Sequence, residues 1–348
     1  MNVYLFSGIY IAIFSIFDRF ITSSLVKKIY RILVMIPTFL ISAFHGNISV
    51  DYISYRDIFN AVRITPLLQA IQNFNIEPGY LLLNKFVGLF TDDFVGVLFI
   101  VTLINLGIFY RLFNKYSDNF ALSLLLLISF GSYYVSFNLI RQYLAASILI
   151  LAVMSIEKGF SRYLMWVLIA STFHSSALLM IIIYPILNLR ILKIRDFIFY
   201  SIGILMLFLT VIFASNFIGF ITQFMYQGYL NSNAFGISIG NELNVLVRPI
   251  FVGLYVALLN RNIDQSSLID RIGINSIFLL FCFLLLSTQI KMIERLSYFF
   301  APYMTVYLPK LNSRFNNIIY QFLMDILLII LCLIFIILTQ RNDIFLLP

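Results

Sequence analysis

Apolar runs recur along almost the whole chain, with few charges to interrupt them. Twelve can be read: residues 1–17, 30–44, 93–112, 119–135, 138–156, 162–175, 176–190, 197–217, 246–260, 272–289, 295–309 and 318–339. In a bilayer each backbone polar group must be satisfied within its own segment, so runs of this kind become helices. A perpendicular span prefers about 20 apolar residues. Several runs are shorter and must tilt little, thin the bilayer or draw on neighbouring polar sequence. Composition agrees, with 61% hydrophobic and 11% charged residues, where a soluble domain carries roughly a quarter charged. The expected fold class is all-α: a polytopic integral membrane protein of about twelve transmembrane helices in one domain, 1–348. The first run, Met1 to Phe17, has no basic n-region and no small-residue cleavage site, so it reads as a membrane helix rather than a removable signal. Cys282 and Cys332 lie inside apolar runs and read as small core or lipid-facing residues, not as a disulfide or metal framework.

A further run, 79–90, is too short to cross and reads as a re-entrant or interfacial half-helix within an outer loop at 45–92. A second outer loop is read at 218–247. Charge supports this choice. With the N-terminus outside, fifteen of the 23 basic residues fall on inner loops, as the positive-inside rule requires. If 79–90 spanned, every later loop would flip and the bias would largely reverse. The net charge of +8 is thus an orientation signal, not a nucleic-acid footprint, and no nucleic-acid partner is expected.

Some basic residues are not explained by orientation. Arg141, Arg248 and Arg295 each lie at the outer edge of an apolar run. An ionisable side chain kept at a membrane edge binds something or snorkels to the interface. Arg141 stands in Asn138-Leu139-Ile140-Arg141-Gln142-Tyr143-Leu144-Ala145, on a face with Asn138, Gln142 and Ala145 that is not built for lipid. Converging arginines suit a phosphate or diphosphate, because the guanidinium is always charged and donates in pairs.

Other outer-edge residues cluster in short motifs. Asp51, Tyr55 and the region around Phe59 fall at helical spacing. Tyrosines among carboxylates suit sugar rings, and equally an interfacial aromatic belt. Glu77-Pro78-Gly79-Tyr80 opens the short half-helix. Helix capping alone would explain Glu77; its alternative role is a catalytic or sugar-binding carboxylate. His174, in Thr172-Phe173-His174-Ser175, is either a general base or a hydrogen-bonded turn residue, and one histidine without neighbouring ligands has no metal-site spacing. Glu294 and Arg295 could form a structural ion pair. Arg295 and Tyr298, about one turn apart, could also present cation and phenol to a phosphate-bearing ligand. No P-loop, dinucleotide fingerprint or serine elbow occurs, so ATP-driven transport has no support.

Taken together, Arg141-Gln142-x-x-Ala145, Phe173-His174-Ser175, Glu77-Pro78-Gly79-Tyr80, Asp51 with Tyr55, and Glu294-Arg295 with Tyr298-Phe299 resemble the EpsG family. That family contains bacterial exopolysaccharide polymerases and many Wzy-type O-antigen polymerases. The likeness runs in order from about residue 45 to 300. It implies a fold akin to the multi-spanning lipid-phosphosugar glycosyltransferases. It also implies a place in the bacterial inner membrane, with an active face toward the periplasm. The implied substrate is an undecaprenyl-diphosphate-linked oligosaccharide, polymerised into O-antigen of lipopolysaccharide or into exopolysaccharide. A chain-length regulator and a flippase of the same pathway are the implied protein partners, besides membrane lipid.

On that resemblance, Arg141 with Arg248 and Arg295 would neutralise the departing lipid diphosphate. His174, Asp51 or Glu77 would take the proton of the attacking hydroxyl. Gln142, Tyr55 and Tyr80 would position sugars, and Glu294 and Tyr298 would also bind the substrate. Three fixed cations make a divalent metal unnecessary, so no metal and no cofactor are expected. The competing expectation is a flippase for lipid-linked oligosaccharide, which would also need arginines for a diphosphate, but at mid-depth and on both sides. A membrane O-acyltransferase pairs arginine with histidine too, but its acyl donor comes from the cytoplasm.

Overall fold

The computed structural model describes residues 3–130, 133–189, 244–259, 267–287 and 293–341. Every element among them is helical, and the chain divides into two units, residues 1–183 with 305–348, and residues 184–304. By length and composition four segments can cross a membrane: Val3–Phe20, Val95–Tyr116, Leu268–Ser287 and Ile318–Leu338. Other apolar helices are shorter, between 10 and 17 residues, and the expected total near twelve is not shown by the described helices.

The first unit starts with α1 (Val3–Phe17), α2 (Ser24–Ala43), α3 (Tyr52–Ile64), α4 (Leu67–Asn73) and α5 (Pro78–Val87). It continues with α6 (Val95–Tyr116), α7 (Phe120–Ser129), α8 (Ile140–Met154) and α9 (Phe160–Ser171). α10 (Leu179–Asn188) bridges the unit boundary. All ten residues of α7 are buried, as are most of α8. Beyond the first turn of α8, with Arg141 and Gln142, both are largely apolar around the circumference, as helices enclosed by other helices are. α1 packs on α7 and α15 (Ile318–Arg341). Its buried face is Ser7, Gly8, Ile11, Ala12 and Ser15, and all but Ile11 are small residues that let helices approach closely. The opposite faces of α1, α2 and α15 expose Ile13, Phe17, Ile32, Leu40, Leu327 and Ile334, apolar surface suited to lipid.

One buried polar cluster in this unit is closely paired, as a low-dielectric interior favours. Arg19 forms a two-point ion pair with Asp325, one arm at 3.0 Å. Asp325 also accepts from Asn119 at 3.1 Å and Asn312 at 2.8 Å. Arg19 and Asp325 side chains are 9% and 3% exposed. Asn119 in turn caps α7, its Oδ1 accepting from the Leu122 amide at 3.0 Å.

In the second unit α11 (Asn244–Leu259) packs on α12 (Leu268–Ser287). Asn275 Nδ2 of α12 donates to the carbonyls of Ile186, Leu187 and Leu189 at 2.9–3.1 Å, closing the C-terminus of α10. The run expected as one span over 295–309 is broken. A four-residue helix, α13 (Glu294–Ser297), ends in a turn before α14 (Ala301–Asn312). The expected run 197–217 lies outside the described residues, as does nearly all of the loop read at 218–247.

Candidate functional site

The site is built around Glu77. Pro78 at the first position of α5 has its φ pre-set for a helix and no amide to leave unpaired, so the helix starts there and Glu77 stands at its N-cap in extended backbone, φ −61° and ψ 138°. Yet the Glu77 carboxylate makes no capping bond to α5. It turns instead to three partners from other elements. Arg141 Nη1, in the first turn of α8, donates to Oε2 at 2.5 Å. His174 Nδ1 lies 3.1 Å from Oε1, and the Ser175 amide donates to the same oxygen at 3.2 Å. Capping does not explain this residue.

The helical pairing of α8 with α9 makes the contact possible. They form an antiparallel hairpin whose turn holds Gly159 at φ +98°, a conformation that favours glycine. The hairpin returns the end of α9 to the start of α8, so Arg141 and His174 share one end. α5 is fastened to that end by the Gly79 amide, which donates to the Thr172 carbonyl at 2.7 Å. A Cβ on Gly79 would stand 2.7 Å from that carbonyl oxygen and 2.9 Å from its carbon. The glycine after Glu77-Pro78 is therefore required by a close backbone approach, two residues from His174.

Electrostatics follow from this placement. Burial opposes charge on Glu77 most strongly. The bonds from His174 and its own backbone, the Arg141 charge and the Ser175 amide together outweigh it, and the carboxyl is held down at about 2. An ionised carboxylate can only accept, so His174 Nδ1 carries the shared proton. His174 Nε2 has no protein partner among the described residues. Arg141 Nε is buried and likewise without a hydrogen-bond partner among them. The side chains of Arg141, Glu77 and His174 are 26%, 17% and 27% exposed, which leaves a ligand room to reach them.

Tyr55 on α3 lies beside the Arg141 guanidinium. Burial raises its hydroxyl pKa, against the pull of the arginine. Asp51 is the N-cap residue of α3, one turn before Tyr55, and its charge acts on the Tyr55 hydroxyl. The structure gives it no side-chain bond to Glu77, Arg141 or His174. The loop before α3 is tied toward α8 by Asn138, whose Oδ1 accepts from the Val50 amide at 3.0 Å. It is also tied by His45, stacked on Phe137 with centroids 4.1 Å apart. Lys85 of α5 donates to the Arg63 and Thr65 carbonyls at 2.8 and 2.7 Å, closing the C-terminus of α3.

Tyr80 is fully buried and meets Tyr55 edge-on at 5.8 Å, so it supports Tyr55 from behind. Gln142 is buried as well, at 5% exposure. In the second unit, Tyr298 donates to Glu294 Oε1 at 3.2 Å, and Arg295 is on the same short helix. Arg248 belongs to α11, with its side chain outside the described residues. Among the described residues no group of three or more His, Cys, Asp or Glu is placed to hold a metal. Sequence reasoning missed the Ser175 amide, the Gly79–Thr172 bond and the Lys85 tether; only Gly79, following Glu77-Pro78, left a trace in the motif.

The profile of the EpsG family matches residues 28–348, nearly the whole chain. No curated protein and no solved structure matches. The chain belongs to the EpsG family, whose members are Wzy-type polymerases and glycosyltransferases.

Proposed function

We propose that this protein polymerises undecaprenyl-diphosphate-linked oligosaccharide repeat units, for O-antigen or exopolysaccharide, at the periplasmic face of the bacterial inner membrane. The observation that carries the reading is the bridge of Glu77 between Arg141 and His174.

In this reading the hydroxyl of an incoming lipid-linked repeat attacks the anomeric carbon of the growing glycan. The new glycosidic bond forms as the anomeric carbon–oxygen bond to the lipid diphosphate breaks. His174 Nε2 takes the hydroxyl proton, because Glu77 holds the other ring nitrogen as the donor. Glu77 itself is too acidic and too fully engaged to be the base. At rest the Arg141–Glu77 pair is close to neutral. Once His174 is protonated the trio is positive, at the step in which diphosphate charge builds and needs compensation. Arg141 therefore acts chiefly on the departing group, with its buried Nε a further donor for a phosphoryl oxygen. Asp51 acts through Tyr55, which keeps the guanidinium in place. Gln142, Arg248, Glu294, Arg295 and Tyr298 remain proposed contacts to the lipid-linked glycan. A chain-length regulator and a flippase would act with the enzyme in its pathway.

The test is complementation in a strain lacking its own polymerase, scored as a glycan ladder on a gel. Ladders should be lost with Arg141→Ala. Normal long ladders from a well-expressed Arg141→Ala protein would sink the assignment.

A further inference from the structure

The end of α8 opposite Arg141 opens on a different feature. A cavity of about 370 Å³ lies between the C-terminal parts of α6 and α8 and the start of α9. Four cations line it: Arg111 and Lys115 from α6, Lys158 from the turn after α8, and Arg162 from α9. No carboxylate lines it, and none of the four is in an ion pair among the described residues; Glu157, beside Lys158, faces no such pairing either. Met154 and Trp166 supply an apolar wall. At 1.5 Å per residue, Arg141 and Met154 stand roughly 20 Å apart along α8, so this cavity is not part of the Glu77 site.

We propose that this cavity binds the phosphate headgroup of an anionic membrane phospholipid. Basic residues collected on one membrane face can serve orientation alone, but orientation does not need them gathered from three elements around one cavity. Four like charges with no carboxylate partner among the described residues repel, Lys115 meeting only the face of Tyr116 at 4.7 Å, and a bound phosphodiester relieves that repulsion with charge-assisted hydrogen bonds. Basic cavities between transmembrane helices take phospholipid headgroups on these terms. The apolar wall decides between a lipid and a free phosphate. An inorganic anion has no use for Met154 and Trp166, whereas a glycerol backbone and the first methylenes of an acyl chain lie against them. The inference is independent of the polymerase reading, since it concerns occupancy of a different site.

Trp166 is the single tryptophan of the chain, so tryptophan emission, excited selectively at the red edge where the tyrosines do not absorb, reports this cavity. The full-length protein is reconstituted in phosphatidylcholine vesicles with a fixed fraction of phosphatidylglycerol, the bromine quencher being carried by one lipid or the other. Surface charge is then the same in both arms. Per mole fraction, brominated phosphatidylglycerol should quench Trp166 at least about fivefold more than brominated phosphatidylcholine, the scale set by one basic contact to an anionic lipid. Lys158→Gln with Arg162→Gln, and separately Arg111→Gln with Lys115→Gln, should each bring the ratio toward one, while Arg56→Gln keeps it. Equal quenching by the two lipids in the wild type, or an unchanged ratio in both double variants, overturns the proposal. Loss of the preference on adding millimolar glycerol phosphate overturns it too, because the site would then take a soluble phosphate.

Discussion

Glu77 and Arg141 meet at 2.5 Å across 64 residues of sequence, and the same carboxylate reaches His174 at 3.1 Å. One side chain thus joins α5, α8 and the turn after α9, and each partner depends on it differently. Glu77→Gln keeps the size but removes the charge that compensates Arg141 and fixes the histidine tautomer. Its glycan-forming rate should fall by about two orders of magnitude, the scale of losing an orienting or electrostatic group in an active site. The readout is initial elongation rate at matched protein level. Asp51→Asn, which touches none of the three, should cost less than Glu77→Gln; the reverse order would move the centre of the site to α3.

The histidine is tested by separating shape from proton transfer. His174→Gln keeps a polar group near Glu77 but has no basic nitrogen, and should lose activity about as fully as His174→Ala. Arg141→Lys should also be poorly active, because an ammonium cannot donate in a fixed fork to carboxylate and phosphate together. Full activity of His174→Gln would exclude the base role.

The depressed carboxyl of Glu77 has a consequence for stability. A carboxyl whose folded pKa, about 2, lies below its ordinary 4.5 contributes stability that is complete above pH 4.5. That contribution is lost as pH falls through about 2. Its size is on the order of 3 kcal/mol at neutral pH. In detergent the wild-type melting midpoint should drop as pH is lowered through this window. Glu77→Gln should melt lower at pH 7 and converge on the wild type at the acid end.

How far the site was legible in the sequence depends on what each residue type betrays. Arg141 and His174 stood out because charge and imidazole are rare in apolar surroundings. Glu77 was visible but ambiguous, since a glutamate before a proline-started helix looks the same whether or not it caps. Only the docking of α5 on Thr172 decides, and that contact joins segments about 90 residues apart in sequence. The burial of Tyr80 is not legible either, because a tyrosine at a membrane edge has the same signature buried or exposed. α2 begins at Ser24, earlier than its apolar run, because Lys27 and Lys28 are good helix formers that hydropathy alone does not count. The break at 298–300 left one mark inside an apolar run, Pro302 in the first turn of α14, where proline is a normal helix opener.

Gly79 tests the docking directly. Gly79→Ala places a methyl group against the Thr172 backbone, which must shift and carry His174 with it. Activity should fall about tenfold or more, as misplacement of a catalytic group by a fraction of an ångström does, while the protein still reaches the membrane. Gly107→Ala on α6, where a Cβ meets nothing within 4 Å, is the neutral comparison. Equal activity of the two variants would remove the α5–Thr172 contact from the account.

The Arg19–Asp325 pair predicts a stability effect without a catalytic one. Asp325→Ala leaves a buried guanidinium uncompensated, a loss on the order of 3–5 kcal/mol. Folded yield in detergent should drop sharply for Asp325→Ala and recover in part for Arg19→Met with Asp325→Leu, because two apolar side chains leave no buried charge. Yields no better for the double variant than for the single one would show that the pair is not the unit that matters.

The central claim is glycosyl transfer at the Arg141–Glu77–His174 site with a lipid diphosphate as leaving group. It is tested most directly with purified protein in vesicles and a defined undecaprenyl-diphosphate repeat unit, following glycan length and released undecaprenyl diphosphate together. The account predicts longer lipid-linked glycans, one lipid diphosphate released per linkage formed, and neither product from Arg141→Ala. Movement of the substrate across the bilayer without lengthening, or equal lengthening by Arg141→Ala, would contradict it.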